Sequence, residues 1–253
     1  MSDLPAPLTV AAAQPELRPG DLAFNAAAHA DAIRAAEARL VVFPELSLTS
    51  YALAAPAVSL DDPALAVITE ACAATGSVAL AGAPIAGPDG VEHIAMIRFD
   101  GSGATVVYRK IHPDEAESRR FAAAADPAVM ELDGWRLGLA ICRDTMMFEH
   151  APATAEFARL AGPGGIDAYV AGSLFTPKGL VRRDKRMPGL ARGYRMWVVQ
   201  SCFAGPGSDF PEVAGASAVW APDGTVTTRA DDRPGRIVKA ELHFSGQTAG
   251  HAA

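Results

Sequence analysis

Twelve short apolar runs of strand length, spaced through 253 residues and separated by turn residues or by helical patterns, constrain this chain more than any other feature. They are Leu8–Gln14, Leu40–Phe43, Val78–Pro84, Val91–Phe99, Ala104–Tyr108, Val129–Leu132, Trp135–Ile141, Asp167–Ala171, Trp197–Cys202, Ala216–Trp220, Thr225–Arg229 and Ile237–Leu242. So many strands exceed what one twisted open sheet carries comfortably. Helices alternate with some of the strands, and others follow one another as meanders through turns such as Gly87-Pro88-Asp89-Gly90, Asp100-Gly101-Ser102-Gly103, Asp133-Gly134 and Pro222-Asp223-Gly224. The sheets are therefore expected to be mixed. The expected fold is α/β: a four-layer α-β-β-α sandwich of two mixed β-sheets flanked by helices.

The helices have recognisable ends. Asp21 is an N-cap candidate for an alanine-rich helix to about Arg39, with Phe24, Ala28, Ile33 and Ala36 on one face. Asp61-Asp62-Pro63 opens a second helix that closes near Thr75-Gly76. A third is expected from about Met146 to Leu160, kinked by Pro152 or starting there, and a basic fourth from about Lys178 to Met196. No repeat or linker divides the chain, so residues 1–253 read as one domain with a loose tail after about Phe244.

Three strand exits carry reactive side chains. Glu45 follows Leu40–Phe43 and Pro44, Lys110 follows Ala104–Tyr108, and Cys142 follows Trp135–Ile141. Strand ends are where α/β proteins place reactive groups. Lys110 is also the only lysine in the first 177 residues of a chain with four lysines against 18 arginines. Arginine cannot replace a compact ammonium donor. Cys142 is expected to be partly accessible, and a following helix N-terminus would favour its thiolate. The irregular stretch Ile111–Pro127 reads as a loop over a site. If the three strands share a sheet direction, the glutamate, lysine and cysteine meet at one edge, as base, cation and nucleophile.

The segments LVVFPELSLTSY, VVYRKIHP and LGLAICRDTMMFEH, in that order, resemble the three signature blocks of the nitrilase superfamily, the carbon–nitrogen hydrolases. The flanking segments LTVAAAQPELRPGDLAFN, YVAGSLFTP and GASAVWAPDGTVTTRA extend the similarity over nearly the whole chain. The resemblance implies an α-β-β-α fold, with Glu45 as general base, Lys110 as cationic stabiliser and Cys142 as nucleophile. It also implies a second glutamate in the loop after the lysine. Glu117, four residues before Phe121, fits that place better than Glu115. The Arg143 N–H would be an oxyanion donor, and Arg143, Tyr51, Phe148, Ser173 and Phe175 are candidate pocket walls. The Arg143 side chain is open to two readings, a substrate carboxylate or a surface ion pair.

The implied reaction cleaves a non-peptide C–N bond of a small linear amide or N-carbamoyl compound through a cysteine thioester. Nitrile hydrolysis is the alternative, and a member of the fold that only binds a small ligand is the second. No metal or organic cofactor is needed for that cycle. A Cys–His arrangement would draw on His112 or His150, and a metal site on His93, His112 and Asp114, although nothing there has ligand spacing on a helix. Cys72 and Cys202 read as core residues. A net charge of −7 with dispersed basic residues speaks against nucleic acid, and no apolar run reaches the length of a membrane span. Without a signal-like N-terminus or a disulfide framework, a cytoplasmic chain is expected. The superfamily further implies a homo-oligomer, a dimer or higher.

Overall fold

A computed structural model describes residues 4–244. The chain runs β1 (Leu8–Gln14), α1 (Leu22–Ala36), β2 (Leu40–Val42), α2 (Ala66–Thr75), β3 (Val78–Ala86), β4 (Glu92–Asp100), β5 (Gly103–Arg109), β6 (Val129–Leu132) and β7 (Trp135–Ile141). It continues through α3 (His150–Ala161), β8 (Ala168–Ser173), α4 (Pro177–Tyr194), β9 (Trp197–Cys202), β10 (Ala218–Trp220), β11 (Val226–Arg229) and β12 (Arg236–Leu242). Two mixed six-stranded sheets result, in the orders β12-β1-β2-β3-β4-β5 and β11-β10-β9-β8-β7-β6. In each, three parallel strands form the centre, β1-β2-β3 and β7-β8-β9, and antiparallel strands complete the flanks.

Alternation along the central strands produces the layers. Val10, Val42 and Leu80 of the first sheet face Leu139, Val170 and Val199 of the second in one interior cluster. Their neighbours Ala11, Val41, Ala79 and Ala81 turn outward onto Ala26, Ile33, Ile68 and Cys72 of α1 and α2. On the other side, Ala140, Tyr169, Ala171 and Val198 pack on Ala151, Ala155, Met187 and Leu190 of α3 and α4. Small outward residues let the helices lie close to the sheets. The expected α-β-β-α sandwich is thus observed.

Some local expectations are corrected. Asp21 caps α1 by accepting the Phe24 N–H at 2.9 Å, but the helix buries Asn25, Ala26, His29, Ala30, Ile33 and Ala36 in place of the face containing Phe24 and Ala28. Its interior face carries two polar residues because they bond into the loop below, which periodicity of apolar residues cannot register. The third helix does not begin at Met146. Cys142–Met146 is a single 3-10 turn, and α3 starts at His150 with Pro152 in its first turn, where a missing N–H costs nothing. The loose tail expected after Phe244 lies outside the described residues. Among the described residues, no helix is long and apolar enough to cross a membrane.

Candidate active site

Glu45, Lys110 and Cys142 stand at the same end of the sandwich, though not on one sheet. β2 and β5 belong to the first sheet and β7 to the second, so the three side chains meet between the sheets. Lys110 Nζ lies 2.6 Å from Glu45 Oε1 and donates to both oxygens of Glu117, at 2.8 and 2.6 Å. All three residues are at most 2% exposed. Glu117 further accepts from the Tyr51 hydroxyl at 2.6 Å and from the Asp114 N–H at 2.7 Å. Glu115, the other candidate for the second glutamate, is exposed and points away beside Arg119. The loop Ile111–Pro127 is thus not merely a cover, since its 3-10 turn Glu117–Arg119 sends a carboxylate into the interior.

The turn carrying Glu45 is gripped from three sides. Phe43 N–H bonds to Leu80 O in β3, and Gly82 of that strand lies so close that a Cβ there would collide with Leu46 N. Gly172 of β8, in the opposite sheet, would place a Cβ 2.5 Å from Phe43 O and 3.0 Å from Glu45 N. From α1, the Asn25 amide bonds to Leu48 O, and His29 Nε2 lies 2.8 Å from Ser47 Oγ. Burial pushes the His29 pKa down to about 4, which keeps this ring neutral. The turn also holds Leu46, Ser50 and Tyr51 at positive φ, a conformation that persists only where surroundings fix it.

Cys142 itself sits at φ 42°, immediately beyond β7. Its side chain is partly accessible, and the thiol donates to Leu174 O at 3.2 Å. The expected thiolate is not the resting state. Burial, followed by the charge of Glu45, pushes the thiol well above its ordinary value against the pull of Lys110, and one 3-10 turn lacks the macrodipole of a long helix. Burial also raises Glu45, to about 8, against the lowering effect of Lys110. Its Oε2 is a buried carboxyl oxygen with no hydrogen-bond partner among the described residues. Lys110 is held charged: burial disfavours the ammonium but is outweighed by the carboxyl groups of Glu45 and Glu117. The geometry therefore joins a neutral thiol, a carboxyl able to take a proton near neutral pH and a permanent cation.

Asp144 ties the cysteine turn to the lysine loop. Its Oδ2 accepts from Ile141 N at 3.0 Å and from the Tyr108 hydroxyl at 2.7 Å, and its Oδ1 from His112 N at 2.9 Å. His112 Nδ1 also lies 2.9 Å from Oδ1. Tyr108 continues to His150 Nε2, and His150 Nδ1 to the Tyr169 hydroxyl. Both histidines are committed to this network, and neither is hydrogen-bonded to Cys142. Sequence reading missed Asp144, although an acid two residues past the cysteine was the available signal. Nor are His93, His112 and Asp114 gathered. His93 bonds to Ala122 O, and no group of three or more His, Cys, Asp or Glu among the described residues is arranged to hold a metal ion.

Cys142 opens onto a cavity of about 590 Å³ walled by Tyr51, Arg143, Met147, Leu174, Phe175 and Phe210, with Asp114 and Arg182 also on its lining. Tyr51, Arg143 and Phe175 are where the sequence suggested. Two other candidates are not. Ser173 is fully buried beneath the wall, where its Oγ accepts from Gln200 Nε2 at 2.9 Å, because it still belongs to β8 and faces its neighbour strand. Phe148 is 83% exposed and stacks under the Arg186 guanidinium on the adjoining surface. The wall residues Arg182 and Phe210 come from α4 and a distant loop, and neither carried a recognisable pattern. Cys72 packs inside the α1–α2 layer, and buried Cys202 accepts from Arg183 Nη1 at 3.3 Å.

The family model for carbon–nitrogen hydrolases matches residues 9–249. A curated relative, the hydrolase in the pqqF 5′ region of Pseudomonas protegens, is 35% identical over 143 residues, which are 53% of this chain and 50% of the relative. The match thus spans about half the length of that relative. Among solved structures, the CN-hydrolase superfamily protein XC1258 of Xanthomonas campestris, with an arsenic adduct in its active site, superposes with a TM-score of 0.82 at 18% identity, over 94% of this chain and 91% of that one. A cysteine-to-alanine variant of the Nesterenkonia AN1 amidase, from the nitrilase superfamily, gives 0.80 at 22% identity over 95% and 92%. Another variant of that amidase, with the acetamide moiety of fluoroacetamide added covalently at the active-site cysteine, gives 0.80 at 22% identity over 93% and 90%. At these identities the structural likeness speaks for the fold.

Proposed function

The chain belongs to the carbon–nitrogen hydrolase family, and on that premise we propose that it is an amidase-type member that hydrolyses a small linear amide or N-carbamoyl compound through a Cys142 thioester. The observation that carries this reading is the buried Glu45 carboxyl, with one oxygen 2.6 Å from Lys110 and with the Cys142 thiol within its reach at the foot of an open cavity, while its Oε2 has no other partner among the described residues. A buried acceptor without a donor is costly unless the reaction supplies one.

In the proposed cycle Glu45 takes the thiol proton as Sγ bonds to the amide carbonyl carbon, and the π electrons move to oxygen. The Lys110 ammonium and the Arg143 backbone N–H balance that charge. Collapse breaks the C–N bond, and the leaving nitrogen departs with the proton from Glu45. Water then gives its proton to the same glutamate as its oxygen attacks the thioester. The acid leaves, and the proton returns to sulfur. Glu117 holds Lys110 in place throughout, so the cation need not reorganise as charge develops.

Ammonia release from a panel of small amides, N-carbamoyl compounds and nitriles, with intact-mass trapping of the acyl-enzyme, tests this reading. Release by wild type, with an adduct on Cys142 and none with Cys142→Ala, is the expected result. Turnover of nitriles alone would replace it with nitrilase chemistry. Unimpaired turnover by Cys142→Ala would overturn it.

A further inference from the structure

Arg143 and Arg182 reach the same cavity from different elements, the cysteine turn and α4, and among the described residues neither has an ion-pair partner or a side-chain hydrogen bond. The nearby acids are committed elsewhere. Asp114 Oδ1 accepts the N–H groups of Ala116 and Glu117 at 2.8 and 2.9 Å, and Asp184 takes Arg183 and Arg229 at 2.7 and 2.9 Å. Glu149 lies 3.7 Å from His112.

The position of Arg182 follows from its neighbour one turn on. Arg186 donates through Nε to Thr145 O and through Nη2 to Met147 O, both at 2.7 Å, and this clamps α4 onto the loop after the cysteine. Residues four apart share a helix face, so Arg182 stands on the clamped face and overhangs the cavity. Lys185 and Arg186 line the adjoining groove together with Arg182. A chain of net charge −7 thus gathers Arg143, Arg182, Lys185 and Arg186 against Asp114 around the cavity onto which Cys142 opens and its adjoining groove. Such a local field raises the concentration of anions against the overall charge.

We propose that Arg143 and Arg182 form a carboxylate subsite at the mouth of this cavity, so that the substrate is an amide bearing a carboxylate at the end remote from the scissile bond. This rests on the amidase reading above. A planar two-oxygen anion matches the guanidinium fork. The apolar wall of Tyr51, Phe175 and Phe210 suits the short chain between the two ends. Monoamides of dicarboxylic acids and N-carbamoyl amino acids share this chemistry.

The test compares glutaric acid monoamide and N-carbamoylglycine with their neutral methyl esters, using wild type and Arg143→Gln/Arg182→Gln. Wild type is expected to favour the acid of at least one pair, which also tells the two substrate types apart. The double variant should lose about ten- to a hundredfold more in kcat/KM on that acid than on its ester, mainly through KM. Alkylation of Cys142 by iodoacetate and by iodoacetamide, followed by intact mass, reads the same subsite without turnover. The iodoacetate-to-iodoacetamide rate ratio should fall about tenfold in the double variant. An unchanged ratio, or equal loss on acid and ester, overturns the subsite even where ammonia is released. A fallen ratio with no ammonia from any amide keeps the subsite and removes the amidase reading.

Discussion

At the floor of the cavity Lys110, Glu45 and Glu117 are sealed from water, and their polar atoms are paired to one another except for Glu45 Oε2. At the rim Arg143 and Arg182 stand in solvent, with no ion pair to hold them among the described residues, and Phe148 lies exposed on the adjoining groove. Both belong to one site, yet they tolerate change very differently. A buried charge set has one arrangement that satisfies it, because each unpaired member costs several kcal/mol. An exposed side chain loses little by moving, since water replaces its partners. The floor is therefore suited to chemistry, which needs fixed distances, and the rim to choosing among substrates.

Removing the central cation tests that difference most severely. Lys110→Met leaves Glu45 and Glu117 facing each other without a counter-charge, and it should cost roughly 3–5 kcal/mol of folding stability and at least about a thousandfold in kcat/KM. The pH profile carries the sharper signature. In wild type, Glu45 must be ionised to accept the thiol proton, so kcat/KM should rise with pH through about 8 and fall about tenfold per unit below it. Because Lys110 lowers the Glu45 pKa, any residual activity of the variant should inflect at higher pH. Denaturant unfolding and a pH series on the folded fraction measure both effects. An unmoved inflection would show that another group is the base.

The floor was legible in the sequence for a physical reason. Buried strands announce themselves as uninterrupted apolar runs, and a glutamate, a lysine and a cysteine at three such exits make sense together as base, cation and nucleophile. Glu45, Lys110 and Cys142 could thus be picked out from their strand exits, whereas Glu117 was set above Glu115 only by the resemblance to the nitrilase superfamily. What the strands could not reveal was how they are arranged. The three residues sit between two sheets and not along one, because strand exits say nothing of which sheet a strand joins. The rim was poorly legible because loop residues obey no period. Phe148 was a wall candidate, but the 3-10 turn that replaces the expected helix start sends it to the outer surface. Asp144 is a middle case. Its chemistry is visible in the sequence, while its task, holding Ile141 N and His112 N together, depends on a contact across 32 residues.

A smaller perturbation leaves every charge of the floor in place. Gly172→Ala introduces one methyl group against Phe43 O and the N–H of Glu45, both backbone atoms that cannot swing aside. The sheets must part slightly or the Glu45 turn must shift, at about 1–3 kcal/mol of stability. A shift of that turn near 1 Å should cost about a hundredfold in kcat, with KM little changed. Thermal unfolding beside steady-state kinetics separates the two, and wild-type kcat in a destabilised variant would show that the packing does not position the base.

The opposite end of the scale is Phe148→Ala. Although this ring is six residues past the nucleophile, it lies over solvent and touches the site only through Arg186, whose guanidinium is 4.3 Å from the ring centroid. The bonds from Arg186 to Thr145 O and Met147 O do not need the ring, so the clamp on the cysteine loop should survive its loss. Stability should change by less than about 0.5 kcal/mol and kcat/KM by less than about twofold. A tenfold loss would mean that the stacked ring is what holds Arg186 in register, and with it Arg182 one turn away. The rim would then be as rigidly built as the floor, and its freedom to exchange residues for new substrates correspondingly small.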